Sequence, residues 1–133
     1  MSDKFTFTLD RDRGLVRITL HGFWGLRDVE AFFETRRRAL AELGLPRNQH
    51  MTMTDLRGMK IQAQDVILSF QQGLAVPEEK ARKLAIVVDA AMAKAQANRA
   101  INSLDTRYFT DPDNAEAWLF ADEPAVQEYR RAS

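Results

Sequence analysis

Between Phe5 and Leu43 the spacing of apolar residues changes period once, and this change constrains the fold class more than any other feature of the chain. Phe5, Phe7 and Leu9 alternate with Thr6, Thr8 and Asp10, the period of a strand with one face buried. Leu15 to Leu20 is a second β-rich run. The Asp-Arg-Asp-Arg-Gly stretch between the two runs, ending at Gly14, supplies turn chemistry and a residue suited to positive φ, which predicts a hairpin. From Leu26 the period lengthens: Val29, Phe32, Phe33, Leu40 and Leu43 share one helical stripe, with Glu34 and Arg38 as an i,i+4 pair outside it. Gly44 and Pro46 stop this helix.

The alternation of strand and helix signals then repeats. Met51 to Thr54 reads as a short strand, and Ile61 to Leu74 as a helix with Val66, Ile67, Phe70 and Leu74 facing inward, Gly73 weakening its last turn and Pro77 ending the segment. Lys83 to Val88 is nearly continuous in apolar and β-branched residues, as expected of a strand covered on both faces. Asp89 precedes an alanine-rich helix, Ala90 to Leu104, in which Ala93, Ala97, Ile101 and Leu104 suit close packing on a sheet. Arg107 to Phe109 is a short strand. Asp111 reads as the N-cap and Pro112 as the first residue of a helix whose apolar face is Ala115, Trp118 and Leu119. Pro124 to Ser133 is either a short terminal helix or a tail. The order ββαβαβαβα predicts an α/β protein: a mixed four- to five-stranded sheet from an N-terminal hairpin followed by αβαβαβα. Right-handed crossovers place the ends of the third, fourth and fifth strands on one rim. At 133 residues the chain fits one domain, residues 1–133, large enough to bury roughly two-thirds of its unfolded surface.

Composition narrows the function classes. Nineteen Lys and Arg balance nineteen Asp and Glu, so no long-range field favours nucleic acid or acidic membranes. The absence of cysteine excludes disulfide frameworks and thiolate metal sites. The amino terminus lacks a signal-peptide pattern. The longest apolar run, Leu84 to Val88, is far short of the ~20 residues that span a bilayer. These features lead to the expectation of a cytoplasmic protein without a membrane span.

Ligands of open α/β sheets gather beyond the carboxyl ends of the strands, and three aspartates fall there: Asp55, Asp89 and Asp111. They are either a divalent-cation cluster or two helix caps and a turn anchor; the match of Asp89 and Asp111 to capping positions favours the second reading. His21 and His50 lie at a strand end and a strand start. Each is chemically able to act as a base, yet neither has a Ser or Cys nucleophile beside it in the pattern, so both read as surface or edge histidines. Arg36, Arg37 and Arg38 sit among Glu30, Glu34 and Glu42 and read as a solvated helix face. Phe23 and Trp24 either fold back or form a partner-facing patch; Trp118 reads as core. Phosphate-cradling glycine loops, zincin motifs and nucleophile elbows are missing from the sequence, so no enzyme, metal or cofactor is expected.

The segments Gly14–Gly25, Met53–Gly58, Arg82–Asp89 and Arg107–Leu119 together resemble the STAS-like proteins, the family of bacterial anti-sigma-factor antagonists, and within it the SpoIIAA-like branch related to the lipid-binding CRAL-TRIO group. The resemblance covers roughly Phe5 to Phe120. In antagonists of this family an Asp-Ser-Ser-Gly or Asp-Ser-Thr-Gly motif at the strand-to-helix junction is phosphorylated on its second hydroxyl residue, switching a protein complex off through added negative charge. Here the four positions read Asp55, Leu56, Arg57 and Gly58. Both hydroxyls are gone, and Ser69 and Thr54 are misplaced to substitute for them. The resemblance implies a non-catalytic regulatory or interaction module without that switch, binding a protein partner through Asp55, Arg57, Gly58, Met59 and Lys60, with homodimerisation open to it as well. The alternative is a binder of a small amphiphilic or anionic ligand: Met59, Val66, Phe70 and Met92 would line a slot, Arg57 would hold the head group, and Asp89 would stand on the same rim.

Overall fold

The computed structural model describes residues 4–91 and 105–121. Within them the hairpin strands β1 (Phe5–Asp10) and β2 (Leu15–Gly22) lead into helix α1 (Leu26–Leu43). There follow β3 (Met51–Met59), α2 (Gln64–Leu74), a 3-10 turn (Pro77–Glu79), β4 (Lys83–Val87), β5 (Thr106–Phe109) and α3 (Pro112–Leu119). The five strands form one mixed sheet in chain order, β1-β2-β3-β4-β5. Only the β1–β2 pair is antiparallel. The α/β class and the hairpin opening are as the sequence predicts. Beyond Ala91, the helix expected from Ala90 to Leu104 lies outside the described residues, as does Pro124–Ser133.

Local chemistry accounts for the ends of several elements. Gly14 takes φ 65° in the hairpin turn, where the Asp10 carboxylate accepts from the Arg13 backbone N–H at 3.3 Å. Helix α1 starts at Gly25, whose N–H donates to the Asp28 carboxylate at 2.8 Å, and Lys4 pairs with the same carboxylate at 3.0 Å. It ends at Gly44, left-handed at φ 73°, with its N–H on the Leu40 carbonyl. The expected Glu34–Arg38 pair forms at 2.6 Å, exposed and therefore worth little. Asp111 caps α3, its carboxylate accepting from the Asp113 N–H at 2.9 Å, with Pro112 next in the chain.

Alternation along the strands sorts the core into two layers. Val16, Ile18 and Leu20 face α1 and α2, where they pack with Trp24, Val29, Phe32, Phe33 and Val66. Leu15, Met51, Met53, Ala85 and Val87 face the other way, against Ala115 and Leu119 of α3. Arg13 and Arg17 tie α3 to the hairpin: both pair with Glu116, Arg17 at 2.9 Å. The hydrogen bond from Arg13 holds the Glu116 carboxyl below its ordinary value. Trp118 packs on Phe109 at 5.8 Å between ring centres, at the edge of this layer, where the Lys83 ammonium lies 4.7 Å from its ring centre.

Three elements depart from the sequence reading. Strand β3 does not stop at Thr54 but runs to Met59, because its neighbour β2 continues to Gly22 and supplies partners for the extra residues. The register passes from Thr19 opposite Asp55 to His21 opposite Gly58, so β3 carries one residue more than β2 across a bulge. Gly58 is suited to this close approach: a Cβ there would stand 2.8 Å from the Cβ of His21. Helix α2 starts at Gln64 rather than Ile61, and of the four residues expected inside only Val66 is fully buried, while Ile67 and Leu74 are exposed. The physical reason is that α2 leans on α1 through Gly73, against the ring of Phe33, leaving its sheet-facing side open. Strand β4 accordingly buries Ala85 and Val87 under α3, while Leu84 and Ile86 on its other face are only half-buried.

Candidate functional site

The side chains of α2 that do not reach the sheet leave a groove of about 480 Å³. Its floor is the α1/α2 face of the sheet: Val16, Ile18 and Leu20 of β2, Thr52, Thr54 and Leu56 of β3, Leu84 and Ile86 of β4. Phe32 and Leu40 of α1 and Ile67, Phe70 and Leu74 of α2 form its walls. From His50 to Leu56 the floor follows β3 for six residue steps, about 20 Å at ~3.3 Å per residue. One end, at Leu56, Met59 and Phe70, is apolar apart from Gln62.

The other end is polar. Arg36, read as part of a solvated face, turns inward; its side chain is 11 % exposed and pairs with Glu79 at 2.8 Å. The guanidinium carbon lies 5.0 Å from the ring centre of Phe33. The Arg36 Nε is buried without a hydrogen-bond partner. His50, read as a surface or edge histidine, is 6 % exposed. The α1–β3 connection places it with Leu40 and Glu79 where the groove meets a smaller hollow of about 230 Å³. The one signal available in the sequence is that His50 directly precedes an apolar strand, which does not distinguish a buried ring from an exposed one.

Burial, reinforced by the charge of Arg36, holds His50 below its ordinary value of 6.5, so the neutral ring is the native form. As pH falls through 6.5, the unfolded chain takes up a proton on His50 and the folded one resists, so stability declines from there until the folded ring itself titrates. Asp10, Asp28 and Asp55 have carboxyls held below 3.8 and lose their contribution only in more acidic solution. His50→Gln is therefore expected to flatten the stability profile on the acid side of pH 6.5, read as urea midpoints. An unchanged slope in the variant would place this pH dependence elsewhere.

The residues singled out at the carboxyl rim separate rather than converge. Asp55 follows Met51 and Met53 on the α3 face of β3, away from Phe70. Its carboxylate accepts from the Arg57 backbone N–H at 3.0 Å and from the Arg57 guanidinium at 3.0 and 2.8 Å. These bonds, foremost the side-chain one, hold the Asp55 carboxyl low and the Arg57 guanidinium high. Arg57 is thus committed to its own strand instead of the mouth of the groove. Met59 and Phe70 do line the groove, Val66 belongs to the core behind it, and Met92 is outside the described residues. Lys60 is exposed with its N–H on the Gly22 carbonyl at 3.1 Å, and Asp89 is exposed beyond β4. Among the described residues no three carboxylate or histidine side chains gather as for a metal ion.

Phe23 and Trp24 divide the two roles considered for them. Trp24 is buried, while Phe23 is 57 % exposed and Ile61 94 %. Gln62 fastens this rim: its Oε1 accepts from the Trp24 N–H at 2.8 Å, and its Nε2 donates to the Gly22 carbonyl at 2.9 Å.

A five-stranded sheet in chain order, opened by a hairpin and carrying helices on both faces, is a SpoIIAA-like fold. Similarity to a solved structure supports this: an uncharacterised protein from the DUF3478 family with a SpoIIAA-like fold, from Shewanella loihica PV-4, matches with a TM-score of 0.66. The identity is 17 %, over 90 % of this chain and 98 % of that one, which establishes likeness of fold alone. Neither a protein-family model nor a curated protein matches the sequence. No helix among the described residues is long and apolar enough to cross a membrane.

Proposed function

We propose that this protein is a non-catalytic binder of a small amphiphilic ligand, held in the groove between the sheet, α1 and α2. The groove itself carries this reading. Its volume of about 480 Å³ lies within the roughly 300–1,000 Å³ of small-molecule sites, and, like them, it combines apolar walls with a few polar groups at one place. An uncharged dye, N-phenyl-1-naphthylamine, is expected to brighten on binding and to be displaced by 1-alkanols. Each CH₂ buried contributes about 0.8 kcal/mol, so two added carbons should tighten binding roughly tenfold until the groove is full. No dye uptake, or displacement independent of chain length, would defeat the reading.

A second reading, protein–protein contact through the carboxyl rim, is favoured by the exposure of Phe23, Arg57, Lys60 and Ile61. Apolar groups on a surface fastened by Gln62 need little ordering on binding. Ile61→Glu and Arg57→Glu should each lose the same captured partners in a pull-down. An unchanged set in both variants would remove the rim from consideration.

A further inference from the structure

We propose that the polar end of the groove is a seat for a carboxylate head group, built by Arg36 and His50. The inference rests on the groove reading above and adds the chemical class of its ligand: a single-chain carboxylic acid bound as its anion, head at the amino ends of β3 and β4, chain running toward Leu56, Met59 and Phe70.

One buried unsatisfied donor and one ring beside it point to this ligand. The Nε–H of Arg36 is buried with no acceptor, although the same side chain is fixed by Glu79 at 2.8 Å and by the Phe33 ring. A buried donor left in this state is costly, and a carboxylate oxygen would satisfy it. His50, 6 % exposed, makes no hydrogen bond through its ring among the described residues, and a neutral imidazole carries one N–H donor. Arg36 and His50 both line this end of the groove, and a guanidinium N–H and an imidazole N–H together match the two oxygens of one carboxylate.

The charges agree. The side chains lining this end of the groove, Arg36, Lys80 and Glu79, carry a net positive charge, which favours an anionic head group over a cationic one. Lys80 also lies 3.9 Å from the Asp105 carboxylate, with both side chains exposed. A phosphate monoester would bring nearly two charges and three strong acceptor oxygens, more than this end offers. A cationic head group would leave the two donors unsatisfied and meet Arg36.

The test compares octanoate, 1-octanol and octyltrimethylammonium by calorimetry on the full chain, with uptake of N-phenyl-1-naphthylamine measured alongside. Octanoate should bind about tenfold or more tighter than 1-octanol, the gain of one charge-assisted contact, and octyltrimethylammonium more weakly than either. His50→Phe keeps a ring and removes the donor; Arg36→Lys keeps a cation for Glu79 and removes the Nε–H. Each should reduce the preference for octanoate over 1-octanol while leaving dye uptake in place, which also shows that the variant has folded. Equal affinity of the wild type for octanoate and 1-octanol would overturn the head-group seat and leave the groove reading standing. Failure of the dye and of 1-octanol to bind would remove the groove reading, and the seat with it.

Discussion

Trp24→Ala is expected to lower stability by about 3–5 kcal/mol, the usual range for truncating a large buried aromatic. The ring is 1 % exposed and lies 5.7 Å from Phe5, 5.8 Å from Phe32 and 5.1 Å from Phe70, measured between centres. Its Nε1–H donates to the His21 carbonyl at 2.9 Å. One side chain therefore joins β1, α1 and α2 to the end of β2, and its removal opens a cavity while leaving a backbone carbonyl without its donor. Against a total of about 5–15 kcal/mol for a domain, this loss should be plain in urea denaturation followed by far-UV circular dichroism. A loss below about 1 kcal/mol would mean that Phe5, Phe32 and Phe70 close over the gap and that Trp24 does not join these elements. The variant also leaves Trp118 as the remaining tryptophan of two, so the difference in native fluorescence reports the environment of Trp24.

Gly73→Ala should destabilise although alanine is the better helix former. In α2, a Cβ at position 73 would lie 2.3 Å from one ring carbon of Phe33 and 2.4 Å from the next. Helix propensity favours the substitution by about 1 kcal/mol; a clash with a packed ring costs about 1–3 kcal/mol or more. The ring has little room to yield, since Phe33 is itself 7 % exposed and packed against Phe32 at 5.0 Å and Phe70 at 5.9 Å. The clash should win, for a net loss of up to about 2 kcal/mol. A Phe33→Leu background should recover much of it, giving a coupling energy in a double-mutant cycle. A gain in stability matching the propensity term would show that the two helices are not this close. Because α2 is also the outer wall of the groove, the same substitution should alter dye uptake, linking the packing of Gly73 to the proposed binding function.

The groove and the aromatic layer share their residues. Phe32 and Phe70 pack with Trp24 on one side and line the groove on the other, so binding and stability are coupled. A ligand that fills the groove adds to the stability of the fold by mass action. This coupling separates the ligand reading from the rim reading, because Ile61 and Phe23 are exposed and their substitution should leave stability nearly unchanged.

What the amino-acid sequence by itself determined are the features whose causes lie within a few residues. The hairpin at Gly14, the stripe and left-handed stop of α1 at Gly44, and the Asp111-Pro112 start of α3 are set by turn chemistry, periodicity and capping. The succession of strands and helices followed from the same signals, and with it the mixed α/β sheet, while the lateral order of the strands came from the tertiary structure. Tertiary structure alone decided how far β3 runs, because the partners of Gly58 and Met59 are supplied by His21 and Gly22, some 37 positions earlier in the chain. It decided that Arg57 is spent on Asp55 rather than left open, and that Gly73 marks a helix contact rather than a weak last turn. It also made the groove. A helical pattern says which residues avoid water together, but the distance at which α2 stands from the sheet depends on Phe33 meeting Gly73. Arg36 and His50 come to line one groove because α1 and the segment leading into β3 border the same hollow, a proximity that no local pattern encodes.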